Sequence, residues 1–156
     1  MAYERSVYEA TMDIDYAVCL AQRHERFYGR VKKGIVLLNL LAGSAAIATL
    51  ISPNSVLLVI AAVVVATTSA MDVVYDFGAM SSAHAADRRR FLKLRSRVGT
   101  LPLPKIDAAF ANASIDAAPA IESLRLPVHN ANLRQHGRSE FAVPLSLLQK
   151  IMGAIA

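Results

Sequence analysis

The sequence predicts an all-α fold of the integral membrane type: a two-helix hairpin that extends into a cytoplasmic antiparallel helical stalk, with short C-terminal helices. Three observations predict it. Residues 34–71 contain no Asp, Glu, Lys or Arg, and the run is broken once, by the turn-forming Ser52-Pro53-Asn54-Ser55. Its halves, 34–51 and 56–74, hold about 18 or 19 residues each, roughly 27–29 Å of helix against a ~30 Å hydrocarbon core. Basic residues gather before the run, at 23–33, and beyond it, at 88–97, while the turn has none.

Residues 1–33 form the first element. Tyr8, Met12, Tyr16, Cys19, Leu20 and Phe27 recur at helical spacing and mark one apolar face. The spans follow, at 34–51 and 56–74. Within the uncharged run their polar residues are Asn39, Ser44, Thr49, Thr67, Thr68 and Ser69, and Asp72 follows only at the exit of the second span, so the polar stripe of a soluble core helix is missing. A run that begins at residue 34, behind a charged segment, does not fit a cleaved secretion signal. Arg23, Arg26, Arg30, Lys32 and Lys33 precede the spans, and Arg88, Arg89, Arg90, Lys93, Arg95 and Arg97 follow them. Lysine and arginine are retained on the cytoplasmic side, so both termini are expected in the cytoplasm and the protein in the inner (cytoplasmic) membrane.

The second helix is expected to continue unbroken through residues 75–98, because Met80, His84, Asp87, Phe91, Leu94 and Val98 keep helical spacing. Charge order supports pairing of the two arms. Basic Arg26, Arg30, Lys32 and Lys33 fall opposite Asp72 and Asp76, and farther out Glu4, Glu9, Asp13 and Asp15 fall opposite Arg88, Arg90, Lys93, Arg95 and Arg97. Exposed pairs are worth only ~0–1 kcal/mol each, so the pattern specifies register more than stability. It also uses up most of the net charge of +5 internally, which argues against nucleic acid as a partner.

Gly99, Pro102 and Pro104 end the stalk and open a third region, 99–156. Short helices are expected at 105–116, at 119–136 with a kink at Pro127, and at 144–155. The last places Leu145, Leu148, Ile151, Met152 and Ile155 on one face. It is too short to span and suits either the membrane surface or, preferably, the stalk.

The chemistry-bearing residues form no catalytic pattern. A single cysteine, Cys19, excludes an intramolecular disulfide and a cysteine metal site. His24, His84, His129 and His136 lack ligand spacing, and no metalloprotease, phosphate-loop or serine-triad motif is present. No cofactor and no enzymatic activity are expected. Candidate positions lie in two groups. Small faces made of Ala42, Gly43, Ala45, Ala46 and Thr49 on one span, and Ala62, Ala66 and Ala70 on the other, allow close helix packing within the hairpin or between copies, so a homo-oligomer is expected. Asn39 either lines a pathway or makes a local hydrogen bond. Asp72 and Asp76 either form a charged vestibule or, preferably, pair with Lys33 and Arg30. On the stalk, His84, Arg88, Arg89, Arg90, Phe91 and His129 are the candidates for interaction, with His84, on the apolar face, preferably a packed histidine making one hydrogen bond and the arginine run preferably a solvated or salt-bridged face.

Several of these segments carry a resemblance: Arg23-His24-Glu25-Arg26-Phe27-Tyr28, the span Ala42-Gly43-Ser44-Ala45-Ala46, the exit bearing Asp72 and Asp76, and Ala83-His84-Ala85-Ala86-Asp87-Arg88-Arg89-Arg90-Phe91. With Pro119, His129-Asn130 and the stretch from Arg134 to Gly137, the chain resembles small two-span membrane proteins of Mu-like phages and prophages, and more distantly the SLATT-type two-transmembrane domains of bacterial conflict systems. The resemblance implies a phage-type inner-membrane protein. Its SLATT side implies assembly that perturbs or permeabilises the bilayer; read from the residues themselves, Asn39, Thr49 and Asp72 would then line or guard the pathway. The alternatives are a membrane-anchored module that recruits a phage or host protein through its stalk, and a holin-like lysis protein.

Overall fold

The structure, a computed structural model, describes residues 5–48 and 55–156. Glu4, Thr49 and the turn residues Ser52, Pro53 and Asn54 lie outside the described residues. All regular structure among the described residues is helical: α1 (Val7–Ala48), α2 (Ser55–Tyr75), α3 (Phe77–Arg95), α4 (Leu103–Ile115), α5 (Glu122–Gln135) and α6 (Leu147–Ile155), with short 3-10 turns at Val98–Thr100 and Ser139–Phe141. Two helical stretches, Val7–Ala48 and Ser55–Thr100, are long and apolar enough to cross a membrane. The chain divides into two compact units, one comprising Met1–Phe27 and Ser81–Ala156, the other Tyr28–Met80.

The Tyr28–Met80 unit is the hairpin. Its buried positions are Ile35 and Ala42 on α1, Ala61 on α2 and Phe77 at the start of α3. Thr68 Oγ1 lies within donating reach of two acceptors, Asn39 Oδ1 and, at 2.7 Å, Val64 O, which share its one proton. Lys32 forms an ion pair with Asp72. The helix expected to run unbroken through residue 98 is instead interrupted at one residue, Asp76, whose φ of 38° is left-handed. Asp76 starts α3 by accepting the Ala79 N–H on Oδ1 at 3.0 Å, the role of a helix N-cap. An aspartate tolerates this backbone region better than most residues, because its short side chain can bond locally.

In the other unit, Ala10 and Ile14 of α1, Leu94 and Val98 at the end of the α3 arm, and Ile106 of α4 form the core, flanked by Val18, Leu103 and Phe110. The α3 face read from spacing is buried at His84, Asp87, Phe91, Leu94 and Val98. On α1 the deeply buried line is Ala10, Ile14, Ala21 and His24, while Tyr8 of the expected apolar face is exposed and the rest of that face is half-buried. Part of that second face meets α5 and the segment just after it. Asn132 Nδ2 donates to Met12 O at 3.1 Å, and His129 and His136 make edge contacts with Tyr16 and Tyr8. Two of the cross-arm ion pairs follow the expected order of charges, Arg95 to Asp15 at 2.6 Å here and Lys32 to Asp72 in the hairpin, although Lys32 rather than Lys33 takes Asp72. Arg88 instead takes Glu25, at 2.7 Å.

The C-terminal helices differ in detail from expectation. Pro104 sits in the first turn of α4, where its missing N–H costs nothing. Residues 116–121 run as a strap rather than as helix, so α5 begins at Glu122, and Pro127 lies inside it. Helix α5 ends on Gly137 at φ 71°, a left-handed position that glycine adopts without strain. Ser146 and Gln149 form a reciprocal capping box at the start of α6. Helix α6 packs on α5, where a Cβ at Gly153 would lie 3.3 Å from Pro127 Cβ, and Arg23 donates to Gly153 O at 2.8 Å.

Candidate functional site

Among the described residues, a buried polar cluster lies between α1, α3 and the 116–121 strap. His24 is 0% exposed, His84 3% and Asp87 4%. Sequence spacing alone did not single out His24 or Asp87 for this role, yet antiparallel pairing of the arms brings position 24 near position 84. The two imidazoles stack, with centroids 4.6 Å apart and planes at 29°.

His24 Nδ1 lies 2.7 Å from Leu20 O, and Ile121 N lies 2.7 Å from His24 Nε2. These contacts define the tautomer: Nδ1 carries the proton and donates, and Nε2 accepts from the strap. Asp87 Oδ2 accepts the Ala118 N–H at 2.9 Å, and Arg90 reaches Asp116 O at 3.5 Å. A histidine and an aspartate thus fasten the strap to the helix pair through its backbone amides. Burial lowers the His24 pKa below 6.5, against the raising effect of the Leu20 carbonyl. Burial, with His24 adding to it and Asp87 opposing, lowers His84 to about 4. Both rings are neutral at physiological pH.

Beside the pair lies a cavity of about 410 Å³, walled by Tyr16, Leu20, Phe91 and Phe110 and edged by Arg125. Phe91 is buried and packs on Phe110, with centroids 5.8 Å apart. Phe91 and His84 are therefore interior residues and not parts of an exposed stalk surface. Arg88 is held by Glu25, and Arg90 also lies 3.6 Å from Asp87 Oδ1. Arg89 and His129 are exposed, His129 beside an open groove with Glu122, Arg125 and Leu148. No group of three or more His, Cys, Asp or Glu side chains that could hold a metal occurs among the described residues.

The candidates in the hairpin separate as well. Asn39 and Asp72 are bonded within it, and Asp76 is a cap. Ala46 is half-buried. A Cβ at Gly43 would meet no atom within 4 Å, so this glycine does not serve close approach inside the hairpin. Ala62 and Ala66 are exposed, and Ala61 is the buried alanine of α2. Thr49 lies outside the described residues. No family model, no curated protein and no solved structure matches the chain.

Proposed function

We propose that this chain is a non-enzymatic inner-membrane protein whose two apolar helices anchor a packed helical module, with both termini in the cytoplasm, and that copies associate through the outer faces of the spans. One observation carries the reading. Only 11% and 6% of the two most apolar windows is buried, whereas the central helix of a soluble protein is covered by its neighbours. Large exposed apolar surface on a helix of spanning length needs lipid or protein around it. The anchoring role is favoured over permeabilisation because Asn39 and Asp72, the residues a polar pathway would use, are bonded inside the hairpin. The partner of the module is a phage or host protein, met through exposed groups such as Arg89 and His129.

Permeabilisation, of the prophage or holin-like kind, is the second reading. It draws on the exposed Ala62, Ala66 and Ala70, which suit assembly into a larger ring. Reconstitution in liposomes separates the two. Protein that resists alkaline extraction and leaves the vesicles tight to ions at every density supports the anchor. Ion flux that rises with protein density favours permeabilisation, and complete release by alkaline wash removes both.

A further inference from the structure

Helix α6 presents two unlike faces. Met152, Gly153 and Ala156 turn toward the rest of their unit, with Gly153 against Pro127, its carbonyl held by Arg23, and Ala156 buried. Leu147, Leu148, Ile151 and Ile155 fall within an arc of about 100° at helical spacing. All four are exposed, Leu147 at 75% and Leu148 at 62%. Phe141 and Val143, in the segment leading into α6, are exposed as well.

We propose that this apolar face of α6 lies in the interfacial layer of a bilayer, as a second and peripheral lipid contact in addition to the spans. The inference rests on the membrane reading above. Three arguments select lipid as the occupant. The segment 141–156 contains no Asp or Glu and carries Lys150 at the flank of the apolar arc, the charge arrangement that suits anionic headgroups. The patch is on the order of a few hundred Å², well short of the roughly 800 Å² per partner of a stable protein pair, whereas a bilayer demands no matching shape. A helix of nine residues is too short to span, and its few apolar side chains would bind lipid only weakly if free. Spans in the same chain hold lipid at high effective concentration, which converts weak affinity into stable contact. The capping box at Ser146 and Gln149 forms the helix start without help from lipid, so little ordering cost remains.

The chain contains no tryptophan, so single tryptophans report without background. Leu148→Trp and Ile151→Trp, each in the full chain in nanodiscs, are compared with Leu58→Trp in α2 and Lys105→Trp at an exposed position of α4. The expected result is blue-shifted emission, quenched by brominated acyl chains, at positions 148, 151 and 58, and unquenched emission at 105. Quenching at 58 with solvent-like emission at 148 and 151 overturns the inference and leaves the spans intact. Blue-shifted but unquenched emission at 148 and 151 means that protein covers the face, which also overturns it. Quenching at 148 and 151 without quenching at 58 removes the spans, and with them the tether on which this second contact depends, so it overturns both readings.

Discussion

His24 has one protonation state that satisfies its surroundings. With Nδ1 donating to Leu20 O, only a neutral ring leaves Nε2 free to accept from Ile121, and a second proton would place two donors face to face. His24→Ala leaves the Ile121 N–H without its acceptor, at a cost of about 1–3 kcal/mol, and hydrogen exchange across 117–121 should accelerate. The pH dependence has a definite sign. Both His24 and His84 have folded pKa values below 6.5, so between 6.5 and about 4 the unfolded chain binds more protons than the folded one. The stability that their neutral burial leaves intact above pH 6.5 is lost as pH falls toward 4, with a slope of at most ~1.4 kcal/mol per pH unit for each ring. His84→Phe keeps a stacked ring and removes one titration, so its slope should be shallower. Protection of 117–121 that is flat from pH 7 to 4.5, after correction for intrinsic exchange, would contradict this account. None of this was legible as a site in the sequence, where four scattered histidines offered no ligand spacing. The strap was hidden because its Ala-Ala-Pro-Ala stretch carries no side chain that marks it as held.

At the scale of the element, helices and their partners were legible wherever large apolar side chains carried the period. The line of Phe91 and Leu94 on α3, continued by Val98 in the turn after it, is an example. The buried α1 line escaped because Ile14 is the one large apolar residue in it, and the two alanines and the histidine that complete it do not stand out as a hydrophobic face. Backbone interruptions were equally hidden, since Asp76 breaks the helix through its own cap bond and neither glycine nor proline stands there. Within the hairpin, the bond from Thr68 to Asn39 makes an asymmetric prediction. Asn39→Leu leaves Thr68 bonded to Val64 O and should be nearly neutral. Thr68→Val removes the donor to the Asn39 amide oxygen in apolar surroundings and should cost about 0.5–2 kcal/mol. The double variant should recover most of that loss, because it removes both polar groups together. Unfolding in mixed detergent, followed by circular dichroism, measures all three, and equal losses in the two single variants would refute the assignment.

For the whole molecule, the outer surface of the two long apolar helices needs a cover. A two-helix hairpin uses only one side of each helix, and here that side includes Ala42 and Ala61. Ala62, Ala66 and Ala70 repeat every fourth residue and are exposed, so they lie on one outward stripe of α2. A stripe of small side chains gains little from lipid tails, but it lets a second helix approach closely enough for backbone packing. Two kinds of overpacking therefore separate. Ala61→Ile forces bulk into the hairpin's own interior and should destabilise it by about 1–3 kcal/mol. Ala66→Ile adds bulk outside the hairpin, so it should leave hairpin unfolding unchanged and lower the oligomeric mass. Gly43→Ile should act like Ala66→Ile, because the space beyond its Cα is empty within the hairpin. Mass measured by light scattering in detergent or by native mass spectrometry from nanodiscs decides it. A wild-type protein that is already monomeric, or an Ala66→Ile protein of unchanged mass, would mean that lipid alone covers the stripe, and the spans would then serve as an anchor for a single copy.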